Sequence, residues 1–196
     1  MSVLIVDNFD SFTYNLVHLV HRRQGKPVVV RNSAGPGQIP PGITHVILSP
    51  GPGSPTTPTD VGICTAVLDR AVRAKVPILG VCLGHQIVCT YFGGGIERLP
   101  AVRHGAVSRM RRTASGRLLS GLPHETDVMR YHSLHVAEAT VPNELSVTAV
   151  AIDDGAVMTV EHDTLPVFGV QFHPESVATP QGAEIIRNFL AIRSGS

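Results

Sequence analysis

Several functional classes are excluded by what this chain has little of. Only 16% of its 196 residues are charged, and 16 Lys and Arg nearly balance 15 Asp and Glu, for a formal net charge of +1. That excess is too small to hold a polyanion, so neither nucleic acid nor an anionic membrane surface is an expected partner. A basic cluster, Arg109-Met110-Arg111-Arg112, has no interleaved aromatics and reads as a solvated strand or loop. No apolar run approaches bilayer length. The N-terminus enters an apolar strand-like segment without a basic leader or cleavage site, so no signal peptide is expected. Cysteine is scarce: Cys64, Cys82 and Cys89 form an odd set without metal-ligand spacing, and Cys64 and Cys89 fall on apolar helix faces as small core residues. No P-loop, Rossmann glycine pattern or metal cluster is present. Neither a metal nor another cofactor is expected in this chain.

What is present fits one α/β domain over residues 1–196. Val3–Val6, Val28–Val30 and His45–Leu48 read as strands, and Val76–Leu79 as another. Between them lie helical patterns. Ser11 could cap a helix carrying Phe12, Leu16, Leu19 and Val20 on one side, and Asp60–Lys75 places Val61, Cys64, Leu68 and Val72 near one face. Alternation of strand and helix predicts a mostly parallel central sheet with flanking helices. After Gly93-Gly94-Gly95 the pattern changes. Leu145–Ile152 and Ala156–Glu161, joined by Asp153-Asp154-Gly155, carry a hairpin signal, so the second half should add an antiparallel portion. A last helix, Gln181–Ile192, presents Ile185, Ile186, Phe189 and Leu190.

The most informative residues are Gly80-Val81-Cys82-Leu83-Gly84, set between the strand-like run and a helical segment, His85–Phe92. A nucleophile flanked two residues away on each side by glycine is a nucleophile-elbow pattern, here with Cys in place of Ser. Such a turn exposes the side chain and aims the next N–H, that of Leu83, at a developing oxyanion. The helix N-terminus favours the thiolate. Far along the chain, Gly169–Ser176 follows a second strand-like run and places His173 two residues before Glu175, with Pro174 restraining the turn. Cys82, His173 and Glu175 can thus supply nucleophile, base and orienter. Gly51-Pro52-Gly53 offers a second oxyanion donor. Ligands of open parallel sheets bind beyond the strands' carboxyl ends, where these motifs fall.

The stretches GVCLGHQ (80–86), VQFHPES (170–176) and SPGPGSP (49–55) resemble a class I glutamine amidotransferase domain across nearly the whole chain. VDNFDSFTYNLV (6–17) and RYHSLHV (130–136) resemble the glutaminase subunits of chorismate-aminating synthases. The resemblance implies hydrolysis of L-glutamine through a glutamyl thioester, with ammonia passed to a separate chorismate-binding synthase subunit in the cytoplasm; any magnesium would belong to that partner. It also implies oxyanion donors at Gly51 and Leu83, and glutamine contacts from Gly51, Pro52, Gly53, Gln86, Ser133 and Leu134. His85, His132 and His135 are left out of the catalytic set as packing or hydrogen-bonded structure. The Thr56–Asp60 connection is longer and richer in Thr and Pro than is usual in the family, and Ala106 stands where a basic residue is common. Both bear on the contact with a partner. The alternatives are a stand-alone Cys or gamma-glutamyl hydrolase, and a non-catalytic module on the same fold.

Overall fold

The computed structural model describes residues 1–193. The short apolar runs form strands β1 (Ser2–Asp7), β2 (Lys26–Arg31), β3 (His45–Leu48), β4 (Ile78–Val81) and β9 (Val167–Val170). All five pair in parallel, in the order β2-β1-β3-β4-β9. Their side chains alternate between two cores. Val3, Ile5, Ile47, Leu79 and Val81 face α1 (Thr13–Arg22) and α5 (Gly182–Ala191), while Leu4, Val6, Val46, Leu48 and Ile78 face α3 (Cys64–Arg73) and α4 (Leu83–Tyr91). Period-2 alternation buried on both faces is what a helix-covered parallel sheet requires.

The remaining strands are β5 (Ile96–Arg112), β6 (Glu125–Val136), β7 (Leu145–Ala151) and β8 (Val157–His162). They extend the sheet antiparallel beyond β9, giving nine strands in the order β2-β1-β3-β4-β9-β8-β7-β5-β6. The mixed sheet and the β7–β8 hairpin agree with the sequence reading. The long β5–β6 ribbon was not anticipated. It reaches back over the parallel half, where the His173 N–H donates to the Met129 carbonyl at 2.9 Å.

Three boundaries need correction. Ser11 makes no side-chain cap for α1, and Phe12 precedes the helix, 44% exposed and stacked on Tyr131. The helix expected over Asp60–Lys75 is two: a single turn, α2 (Pro58–Val61), and then α3. Gly62 separates them at φ 52°, where a Cβ would lie 2.2 Å from the Asn32 carbonyl oxygen. Helix α4 begins at Leu83, two residues before the expected start.

Candidate active site

Ser49, Cys82 and Gln171 each follow directly on a parallel strand, β3, β4 and β9, so the three motifs meet beyond one edge of the sheet. The turn after β4 is the sharpest. Cys82 sits at φ 52°, ψ −103°, a left-handed conformation uncommon for a residue with a side chain and costing on the order of 1–3 kcal/mol. Its N–H donates to the Val170 carbonyl at 2.8 Å and its carbonyl accepts from Gln86 N–H at 3.1 Å, which holds it there. The flanking glycines permit the fold-back. A Cβ on Gly80 would lie 2.2 Å from the Gly84 carbonyl oxygen, and one on Gly84 2.3 Å from that of Leu48.

His173 and Glu175 come from the loop after β9. Glu175 Oε1 accepts a 2.6 Å hydrogen bond from His173 Nδ1, and both side chains are almost fully buried. The loop is braced. Thr179 Oγ1 donates to the His173 carbonyl at 2.7 Å, and α5 presses its Gly182 against Pro174 so closely that no Cβ would fit. His173 Nε2 is buried and has no hydrogen-bond partner among the described residues. Burial alone would lower the pKa of the ring. Cys82 and the Glu175 carboxylate outweigh it and raise that pKa from 6.5 to about 10. Cys82 therefore lies beside the ring, although no hydrogen bond of good geometry joins them; such bonds are commonly long before substrate arrives.

A pocket of about 160 Å³ opens at Cys82. At roughly 30 Å³ of liquid per water, that is the space of about five waters, suited to a molecule of amino-acid size. Gly51, Pro52, Gly53, Leu83, Gln86, Ser133 and Leu134 line it with Cys82. His173 and Glu175 line a separate, larger groove of about 670 Å³, and Tyr131 borders both. The largest cavity is thus not the one at the thiol; the small pocket holds the candidate nucleophile and the expected ligand contacts. Tyr131 meets the His173 ring edge-on at 5.0 Å.

Sequence reasoning missed two sets of residues. The first is Gln171, inside the His173 motif. Leu134 O can only accept, so Gln86 turns its Nε2 toward it at 2.8 Å and also donates to Gln171 Oε1 at 3.0 Å. That orients Gln171 Nε2 toward Cys82 Sγ at 3.7 Å, a donor aimed at the sulfur. The second set holds the Gly51 loop. Asn8 Nδ2 donates to the Ser49 carbonyl at 2.7 Å, and Asn8 Oδ1 accepts from Asn32 and from the Cys64 thiol. Gly51 lies so close to Asn8 that a Cβ would fall 2.5 Å from it. The Asp60 carboxylate accepts from Ser54 N–H at 2.9 Å, so the Thr56–Asp60 connection ends in an anchor for this loop. Cys64 is a buried thiol whose pKa burial pushes up to about 12; Cys89 is likewise buried, its pKa raised by burial alone. His85 is packed against Gly169, and burial followed by nearby His132 lowers its pKa to about 3. Among the described residues no cluster of His, Cys, Asp and Glu could hold a metal, and no helix is long and apolar enough to cross a membrane.

The sequence profile of the class-I glutamine amidotransferases matches residues 4–192. The chain belongs to that family. It is 46% identical to an aminodeoxychorismate synthase of Streptomyces griseus over 96% of this chain but 26% of that protein. It is 44% identical to an anthranilate synthase component 2 of Azospirillum brasilense, over 96% of this chain and 94% of the relative. Among solved structures, a glutamine amidotransferase of Thermotoga maritima superposes with a TM-score of 0.84 over 100% of this chain and 99% of its own, at 11% identity, a likeness of fold.

Proposed function

We propose that this chain is the glutaminase component of a chorismate-aminating synthase, and that it releases ammonia for a separate chorismate-binding subunit. The observation that carries the chemistry is the strained Cys82 at the mouth of an amino-acid-sized pocket, with the His173–Glu175 pair beside it. The kind of acceptor is supported by two relatives, one named aminodeoxychorismate synthase and the other anthranilate synthase component 2.

In this reading the Cys82 thiolate attacks the carboxamide carbon of glutamine. The Leu83 and Gly51 N–H groups hold the oxyanion. His173, protonated between Cys82 and Glu175, gives its proton to the departing nitrogen, and ammonia leaves a glutamyl thioester. Neutral His173 then takes a proton from water as the water attacks the thioester, and glutamate is released. Glu175 fixes the ring so that Nε2 faces the reaction. Gln86, Ser133, Leu134 and the Gly51–Gly53 loop hold the substrate, and no cofactor enters a step.

The groove beside His173 is the proposed face for the partner. It is bordered by exposed Phe12 and by Val177, which is fully exposed. Phe9, half-exposed at φ 60°, follows directly on Asn8, so contact there would press on the residue that holds the Gly51 loop. The test is steady-state ammonia release at saturating glutamine while a chorismate-binding synthase is titrated in. The expected result is a slow chain alone and a saturable rise with partner. A full rate alone, unaffected by every such synthase, would favour a stand-alone hydrolase.

A further inference from the structure

Arg130 on β6 is fully buried, and its charge is met at one end by the β7–β8 turn. Its guanidinium reaches Asp154 Oδ2 at 2.9 Å and Asp154 Oδ1 at 3.1 Å, with Ser108 Oγ at 3.2 Å. Those bonds outweigh burial and hold Asp154 below the ordinary carboxylate range. At its other end, Arg130 Nε lies 2.9 Å from His132 Nε2. A guanidinium nitrogen can only donate. His132 Nε2 must therefore be the acceptor, which leaves the proton on Nδ1. Nδ1 faces the Leu134 carbonyl at 2.8 Å, the same oxygen that receives Gln86 Nε2. Burial, then the Arg130 charge, lower the pKa of His132 to about 4, so the ring is neutral, as this arrangement requires.

The sheet itself leaves this piece of backbone loosely held. On β5, Arg98 pairs with Leu134 and Arg103 with His132. Residues 99–102 of one strand thus stand opposite Ser133 alone on the other, and the ladder is interrupted there. The orientation of the Ser133–Leu134 backbone then depends on the donors at the Leu134 carbonyl. If the ring carried its proton on Nε2 instead, a lone pair would face that carbonyl at 2.8 Å and push the peptide away.

We propose that Arg130 is a positioning residue for the glutamine pocket: by donating to His132 Nε2 it selects the ring tautomer that fixes the Ser133–Leu134 backbone against the substrate. This rests on reading the pocket as the glutamine site. The role requires donors to His132 and to Asp154 at once; lysine brings a single nitrogen, which the Asp154 carboxylate draws to itself, so it cannot hold both ends.

The test is a double-mutant cycle of Arg130→Lys with His132→Asn, read as glutamine KM and kcat in the chain with its synthase partner. Asparagine places its amide nitrogen near the position of Nδ1 and can still donate to Leu134 O, with no tautomer to select. Arg130→Lys should raise KM by roughly tenfold or more with kcat within about threefold, as for loss of binding without loss of chemistry. His132→Asn should keep KM within about threefold of wild type, His132→Leu should raise it like Arg130→Lys, and the double mutant should resemble His132→Asn alone. Equal KM increases from Arg130→Lys in both backgrounds would make Arg130 a mere brace and overturn the proposal. If Arg130→Lys does not fold, the pair at His132 decides, because both leave the buried cation in place: equal KM values for Asn and Leu overturn it. A wild type without saturable glutamine turnover would overturn the reading of the pocket, and this proposal with it.

Discussion

Replacing Glu175 by Gln probes the proposed triad at its least exposed member. The carboxylate lies 2.6 Å from His173 Nδ1 and is buried with it. The ring's pKa stands at about 10 where 6.5 is ordinary. At about 1.4 kcal/mol per pH unit, the site favours the protonated ring by on the order of 5 kcal/mol. Burial opposes that preference, so the contacts that produce it exceed the net, and removing the carboxylate's charge should forfeit at least on the order of 2–3 kcal/mol. That alone is about 30- to 150-fold in kcat/KM. The Gln amide can also turn its nitrogen toward Nδ1 and invert the tautomer, which adds to the loss. The expected defect is about 10²–10³-fold in glutamine-dependent ammonia release. The pH profile should change as well. The ion pair is lost as His173 deprotonates, so the alkaline limb of kcat/KM should move to lower pH in Glu175→Gln. A loss below about fivefold, with the alkaline limb unmoved, would refute the role given to Glu175.

Cys82→Ser should lower glutamine-dependent product formation by about a thousandfold or more, while added ammonium salt still supports amination by the assembled synthase; loss of both activities would point to damaged assembly instead. Gly80→Ala would force a Cβ to 2.2 Å from the Gly84 carbonyl oxygen, so it should destabilise the chain by about 3 kcal/mol or leave it insoluble, and a wild-type denaturation midpoint would contradict the close strand-to-helix return. His173 should also register in stability. A folded pKa raised from 6.5 to about 10 contributes stability in full below about pH 6.5 and loses it as pH rises through about 10. Melting temperature should therefore fall further between pH 7 and 10 in wild type than in His173→Gln, and parallel curves would count against the coupling.

The parallel half of the fold was legible because its signals are local. Val3–Val6 and Val46–Leu48 are continuous apolar runs, as strands buried on two faces must be. The Gly80–Gly84 spacing reports a steric need that the close approaches at both glycines explain. The β5–β6 ribbon was hidden for the opposite reason. Strand β5 is largely exposed and rich in Arg, so no apolar alternation marks it, and its pairing is wholly non-local. Gly62 breaks a helix that Val61, Cys64 and Leu68 otherwise imitate, because Asn32 needs the space. Within the site, Cys82, His173 and Glu175 could be named from motif chemistry. Gln171 and Asn8 could not, since their parts depend on hydrogen bonds reaching 41 to 89 residues along the chain, and neither could Arg130, whose burial rests on Ser108 and Asp154, 22 and 24 residues away.

Cys82 as the nucleophile toward glutamine is the central claim. A glutamine-shaped diazoketone is the most direct probe, because it binds as substrate and alkylates the attacking sulfur irreversibly. Peptide mass spectrometry after incubation should find one adduct per chain, on Cys82, with Cys64 and Cys89 unmodified and labelling slowed by competing glutamine. Stoichiometric inactivation with the adduct on any other residue, or glutamine turnover that persists after Cys82 is fully labelled, would contradict it.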